Sequence, residues 1–228
     1  MLAGTEKEFG VRMLPAAGAS AVAERGVALV ALAVMALPAL LTALLVWAAL
    51  GRPLLFRQVR CGLARRPFAL VKFRTMRDLR DAAGELLPDA QRETAVTRLI
   101  RRLRLDEIPQ LLAIVSGEMR FIGPRPLKPE TIEGFGALGE VRCSVPPGLS
   151  GWAQVNGNTR LSNAEKLALD IWYVDHRTPA LDARILLLTV VTLLVGERVR
   201  PEALARAEAH LAMRRTRSDL SQAGEAGS

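Results

Sequence analysis

From Gly26 to Leu50 the chain runs for 25 residues, GVALVALAVMALPALLTALLVWAAL, without a charged side chain. No other segment limits its structure so strongly. As a straight helix the run would be about 37 Å long, more than the roughly 30 Å hydrocarbon core of a bilayer. It is too long for the apolar core of a secretory signal, and no clear small-x-small cleavage site accompanies it. A membrane segment over residues 26–50 is therefore expected ahead of a buried soluble helix. Pro38 divides the run into two halves of twelve residues. Proline removes an amide donor and its ring collides with the preceding turn. A kinked spanning helix and a bent re-entrant hairpin both follow. In the second, each half would be about 18 Å long, the depth of one leaflet.

The charge is as concentrated as the apolar surface. Arg52, Arg57, Arg60, Arg65, Arg66, Lys72, Arg74, Arg77 and Arg80 are opposed only by Asp78, so this stretch alone carries +8, equal to the net charge of the 228-residue chain. Before the apolar run, Glu6, Lys7, Glu8, Arg12, Glu24 and Arg25 nearly cancel. Basic residues at one end of a membrane segment mark the cytoplasmic side and meet anionic lipid. The body of the protein is expected in the cytoplasm. A nucleic-acid or anionic-lipid binder would also use such a stretch. Only ten residues are aromatic, however, which weakens single-strand binding built on stacked bases. A hydrophobic half and a mean hydropathy of +0.19 exclude a disordered chain. Cys61 and Cys143 form no disulfide framework and read as buried small hydrophobes in a reducing compartment.

Local patterning places the elements. Residues 1–20 read as a poorly patterned tail. LLFRQVR (54–60) and FALVKFR (68–74) favour strand, and CGLARRP between them makes a short hairpin. From Gln91 to Arg104, apolar Ala95, Val96, Leu99, Ile100 and Leu103 recur with helical spacing, opposite Arg98, Arg101 and Arg102. Pro109 suits the first turn of a helix to about Ser116, which Gly117 ends. FIGPRPL (121–127) cannot be regular helix, and CSVPPGLSGWAQVNGNTR (143–160) reads as an ordered functional loop. A helix follows from about Asn163 to Asp175. Residues 181–196 hold too few uncharged positions to span a membrane, and suit either a core helix or an interfacial one. Residues 197–228 hold six Arg and five acidic residues.

Asp106 and Glu107 stand just before the predicted helix start. Capping alone would explain such an Asp, and a carboxylate beside exposed helix amides should stay ionised at neutral pH. Arg98, Arg101, Arg102 and Arg104 lie close in sequence, Arg125 is held by Gly-Pro-Arg-Pro, and Lys72 and Arg74 lie on the second strand. Carboxylates among many cations suggest a phosphate-bearing, metal-bridged substrate. An Asp can also attack phosphorus and carry an acyl phosphate.

KFRTM (72–76), RRLRLDEIPQLLAIVSGEMRFIGPRPL (101–127), PPGLSGWAQVNG (146–157) and LDIWYV (169–174) occur in this order. In these blocks, across roughly residues 25–195, the chain resembles the bacterial sugar transferase family, the monotopic phosphoglycosyl transferases that start polysaccharide and glycoconjugate assembly. The resemblance implies transfer of a sugar-1-phosphate from a UDP-sugar to undecaprenyl phosphate, giving an undecaprenyl diphosphate-sugar and UMP. It implies a covalent phosphosugar on Asp106, with Glu107 its partner beside a required Mg2+, so that Asp106 and Glu107 are also the metal carboxylates. Arg101 matches the phosphate-binding arginine. Lys72, Arg74, Arg125 and Arg160 join the substrate-binding set. Asp170 matches the Asp of the late helix motif, although a surface pair with Lys166 would explain it as well.

The implied fold is α+β and mainly helical. It has an N-terminal re-entrant membrane helix broken at Pro38, a short β-hairpin, and a small cytoplasmic helical catalytic domain with interfacial amphipathic helices. The implied division is a tail over 1–25, a membrane helix over 26–50, a catalytic domain over 51–196 and a charged tail over 197–228. The implied location is the bacterial inner membrane with the catalytic domain facing the cytoplasm. Membrane lipid is a partner, nucleic acid is not, and a homodimer is allowed. Exopolysaccharide, lipopolysaccharide or capsule assembly is the expected setting. Several positions depart from the family pattern: Glu24-Arg25 stands where Lys-Arg with an Asp one turn later is common, and Arg104 and Cys61 are unusual. Leu37 replaces the Ser common before the proline, and Asn158 replaces the usual Arg after QVNG, with Arg160 two residues on.

Overall fold

A computed structural model describes residues 18–225. The expectation for the N-terminal tail lies outside the described residues up to position 17, as do residues 226–228 of the charged C-terminal stretch. The protein is mainly helical with one short antiparallel hairpin, as predicted. Its contacts fall into two units. The first comprises the described residues up to Arg60 with Pro67–Met119; the second comprises Cys61–Arg66 with the residues from Arg120 onward.

The first unit begins with α1 (Ala19–Val34) and α2 (Ala36–Leu50), bent by 57°. The break falls at Met35, one turn before Pro38. The cause is local: the Pro38 ring would collide with the carbonyl four residues earlier, that of Val34, where α1 ends. Met35 N–H still closes on Ala31 O (2.8 Å), and Thr42 Oγ1 donates to Pro38 O (2.8 Å). Among the described residues no single helix is long and apolar enough to cross a membrane, whereas the bent pair reaches that length and composition together. Val30, Val34, Leu37, Leu40 and Trp47 remain more than half exposed.

Strands β1 (Leu55–Cys61) and β2 (Pro67–Phe73) form the predicted hairpin. The single helix expected over 91–104 is two, α3 (Asp89–Arg92) and α4 (Ala95–Arg102). Thr94 is extended and caps α4 through a reciprocal pair of hydrogen bonds with Thr97, so the chain restarts there. Thr97 and Ile100 are the buried residues of α4, while Leu99 and Leu103, expected inside, are more than half exposed. A 3-10 turn, Leu105–Gln110, leads into α5 (Leu111–Ser116), closed by Gly117 at φ 86°. Helix α1 packs on α5; α2 packs on α4 and on the 3-10 turn; β2 packs on that turn as well.

In the second unit β3 (Arg120–Ile122) pairs in parallel with β4 (Gly148–Ser150). Helices α6 (Pro129–Glu133) and α7 (Ala137–Arg142) connect them. Beyond them come α8 (Trp152–Val155), α9 (Asn163–His176), α10 (Pro179–Val195) and α11 (Pro201–Glu225). The core gathers Trp152, Val155, Leu167, Leu169, Ile171, Tyr173, Ile185, Ala207 and Leu211. The segment read as an ordered functional loop is ordered but interior, with residues 151–158 all buried. Most of the charged C-terminal stretch is helix: Pro201 opens α11, and Ala207 and Leu211, one turn apart, seal it against α9. Cys61 and Cys143 are free and buried beside Ile132, as small hydrophobes.

Candidate active site

Asp106 and Glu107 lie inside the 3-10 turn, 5% and 9% exposed. Arg104 enters that turn in the left-handed conformation (φ 57°) and its guanidinium lies 3.3 Å from a Glu107 oxygen. Lys72 of β2 and Arg101 at the end of α4 direct their charges at Asp106. Three cations from two elements and a turn thus surround a buried pair of carboxylates.

Burial pushes the Asp106 carboxyl above its usual value near 3.8, and Glu107 pushes the same way. Lys72, Arg101 and Arg104 oppose them. Sequence reasoning weighed only the helix amides, which favour the ionised form. Desolvation pushes the other way, because the turn is covered by α2 and β2.

The other expected site residues divide. Arg101 is paired with Glu93, which also reaches Arg98 at 3.6 Å. Lys72 Nζ lies 5.5 Å from the Phe56 ring centre. Arg74 donates from one terminal nitrogen to the carbonyls of Leu50 (2.5 Å) and Gly51 (3.0 Å), holding the C-terminus of α2. Arg125, Arg160 and Asp170 belong to the second unit. Arg125 is half-buried and Arg160 exposed. Asp170 is neither a surface pair with Lys166 nor open to a ligand. It is 2% exposed and bonded to Arg142 Nε at 2.8 Å. The reason is that α9 turns this face into the core, beside Leu169 and Ile171.

Three residues were not found from sequence. Glu93 sits outside the helix it serves, so no helical spacing links it to Arg101. Arg142 carries no motif of its own. Gln110, 3% exposed, closes the turn with an amide nitrogen that has no protein partner; only its place after DEIP pointed to it.

Among the described residues, no group of three or more His, Cys, Asp and Glu is placed to hold a metal ion. Two adjacent carboxylates fit a different mode, in which Mg2+ takes one or two protein oxygens and the substrate's phosphates supply more.

A sequence profile described as bacterial sugar transferase matches residues 17–196. The uncharacterized sugar transferase EpsL of Bacillus subtilis (strain 168) is 47% identical over 151 residues, covering 66% of this chain and 75% of that protein. An undecaprenyl-phosphate glucose phosphotransferase of Komagataeibacter xylinus is 40% identical over 153 residues, 60% of this chain and 29% of that protein. A UDP-N-acetylgalactosamine-undecaprenyl-phosphate N-acetylgalactosaminephosphotransferase of Aeromonas hydrophila is 34% identical over 190 residues, 76% of this chain and 44% of that protein. The chain therefore spans three quarters of the Bacillus protein and less than half of the other two.

Proposed function

This chain belongs to the bacterial sugar transferase family, and from that premise we propose that it moves a sugar-1-phosphate from a UDP-sugar to undecaprenyl phosphate at the cytoplasmic face of the bacterial inner membrane. The observation that carries the reading is the buried Asp106–Glu107 pair on a turn against which the apolar helix α2 packs. Phosphate chemistry and a lipid-compatible hairpin meet on one short segment.

The steps follow from the residues. An Asp106 carboxylate oxygen attacks the phosphorus that bears the sugar. A phosphorus–oxygen bond forms, the bond to the UMP oxygen breaks, and UMP leaves. The phosphate oxygen of undecaprenyl phosphate then attacks the same phosphorus and releases the Asp106 carboxylate. Lys72 and Arg101 counter the charge on the phosphates. Asp106 and Glu107 would hold Mg2+, which when bound neutralises charge on the diphosphate. Arg125 and Arg160 are kept as proposed substrate-binding residues on the family resemblance alone.

The membrane placement is part of the proposal. The 57° bend suits a kinked span and a re-entrant hairpin alike; the re-entrant form, with both ends cytoplasmic, is taken from the family resemblance at Pro38. A cleft of about 840 Å3 lined by Arg52, Leu54, Leu55, Arg57 and Phe73 sets two cations beside apolar side chains, which suits a phosphate on a prenyl chain. Helix α10 exposes Leu187 (70%) and Leu194 (82%), as a helix lying in the membrane interface would.

The test is UMP release from a panel of UDP-sugars with undecaprenyl phosphate and Mg2+, alongside Asp106→Asn. Release by the wild type with one donor and none by the variant supports the reaction and identifies the sugar. Equal release by both removes Asp106 as nucleophile.

A further inference from the structure

Outside the candidate active site, the second unit holds a cavity of about 490 Å3 whose walls include Trp152, Asn156, Arg184, Leu188, Arg198 and Arg200. Its lining is cationic: Glu202, the acidic member, is 3.8 Å from Arg206, also on the wall. Neither Arg184 nor Arg198 has a carboxylate partner among the described residues. Trp152 Nε1, Arg200 Nε and Asn156 Oδ1 are buried without a protein partner. Trp152 and Asn156 themselves are 5% and 0% exposed. Buried donors and acceptors this deep ordinarily find partners.

The aromatic walls narrow the ligand. Trp172 is stacked with Trp152 (5.3 Å between ring centres) and with His176 (4.5 Å). The Arg184 guanidinium lies over Trp152 at 5.7 Å. Both indoles already carry ring or guanidinium partners, which leaves less for a nucleobase to stack on. N–H groups and guanidiniums remain for an oxyanion, and one amide oxygen for a hydroxyl. Arg184, Leu188, Val191 and Val195 follow one face of α10 at helical spacing. Val191 and Val195 on that face are 44% and 55% exposed. Anion-binding cavity and bare apolar helix face are therefore continuous.

We propose that this cavity binds the phosphate head of an anionic phospholipid carrying a hydroxylated headgroup, with the acyl chains along the exposed face of α10. The inference rests on the membrane-surface placement of α10 proposed above. It would fix the height and rotation of the second unit on the bilayer by a lipid contact separate from the Asp106 chemistry.

Two of the three tryptophans, Trp152 and Trp172, line the cavity and make it readable by fluorescence. The full chain carrying Trp47→Phe is placed in phosphatidylcholine nanodiscs containing acyl-brominated phosphatidylglycerol or, in parallel, acyl-brominated phosphatidylcholine. Brominated phosphatidylglycerol is expected to quench more strongly. Arg184→Gln with Arg198→Gln, both on exposed side chains, should weaken that preference on the order of ten-fold, while Arg→Lys at both positions keeps it. Equal quenching by the two lipids, or a preference the Gln variant retains, overturns the headgroup site. No quenching by either lipid overturns the interfacial placement of α10 as well. Displacement of the phosphatidylglycerol effect by inorganic phosphate at constant ionic strength makes it a free-phosphate site and overturns the lipid assignment. UMP release on the same discs reports the transferase reading separately.

Discussion

Arg142 and Asp170 form an ion pair inside the second unit. Nε and one terminal nitrogen of Arg142 both approach Asp170 Oδ2 at 2.8 Å, and each side chain is 3% exposed. The same guanidinium donates to the carbonyl of Arg125 at 2.5 Å. One buried side chain therefore ties α9 to the Gly-Pro-Arg-Pro segment. Removing one partner of such a pair strands the other charge, which costs about 3–5 kcal/mol. Arg142→Met is expected to lose that much in denaturant unfolding. Arg142→Lys keeps the charge and should lose less, while still failing to brace Arg125.

Gly123, Gly148 and Gly151 let two backbones meet beside the β3–β4 pair. A Cβ on Gly148 would lie 2.1 Å from Gly123 N, and one on Gly151 would lie 2.1 Å from Gly123 O. Neither neighbour is a flexible side-chain tip, so the strands must separate. Gly148→Ala is expected to destabilise by several kcal/mol, on the order of overpacking in a rigid core or worse. Thermal unfolding in detergent checks it, with Gly26→Ala, where a Cβ meets nothing within 4 Å, as the neutral comparison.

The burial of Asp106 predicts opposite trends for activity and stability. The proposed nucleophile must be ionised, so kcat/KM should fall as pH drops through a value above the usual 3.8. Arg104 is one of the cations that lower it, so Arg104→Gln should move the acid limb to higher pH. For stability the sign reverses. A carboxyl raised on folding binds its proton more tightly in the folded chain, and its contribution weakens as pH rises through the window above the usual value. Asp106→Asn should then abolish transfer while remaining at least as stable as wild type at neutral pH. A pH-rate profile and melting curves across pH test both.

Pro38→Ala restores the donor that Val34 O lacks and removes the ring that ends α1. The hairpin should straighten toward a single helix. Thiol labelling of Cys placed near Ser20 and near Arg52, in sealed vesicles of known orientation, should find both ends on one side in the wild type. In the variant they should move to opposite sides in a measurable fraction. Opposite sides already in the wild type would refute the re-entrant reading.

Sequence alone decided the features whose causes act within a turn or two of chain. The uncharged run and its proline dictated a broken apolar helix, although the break fell at Met35 because the ring acts four residues upstream. Two β-rich stretches around a turn made β1 and β2, Gly117 ended α5, and the motif carrying Asp106 and Glu107 marked the pair proposed as reactive. Tertiary structure decided what those residues face. Leu99 was expected inside and Thr97 was not, because α2, rather than periodicity, selected the covered side of α4. Arg74 became the anchor of α2, and Asp170 met Arg142 across 28 residues. The upward shift of the Asp106 carboxyl came from burial that no neighbouring residue in sequence announces. Periodicity, capping and backbone sterics are local and can be read along the chain; desolvation and ion pairing depend on which distant segments the fold brings together.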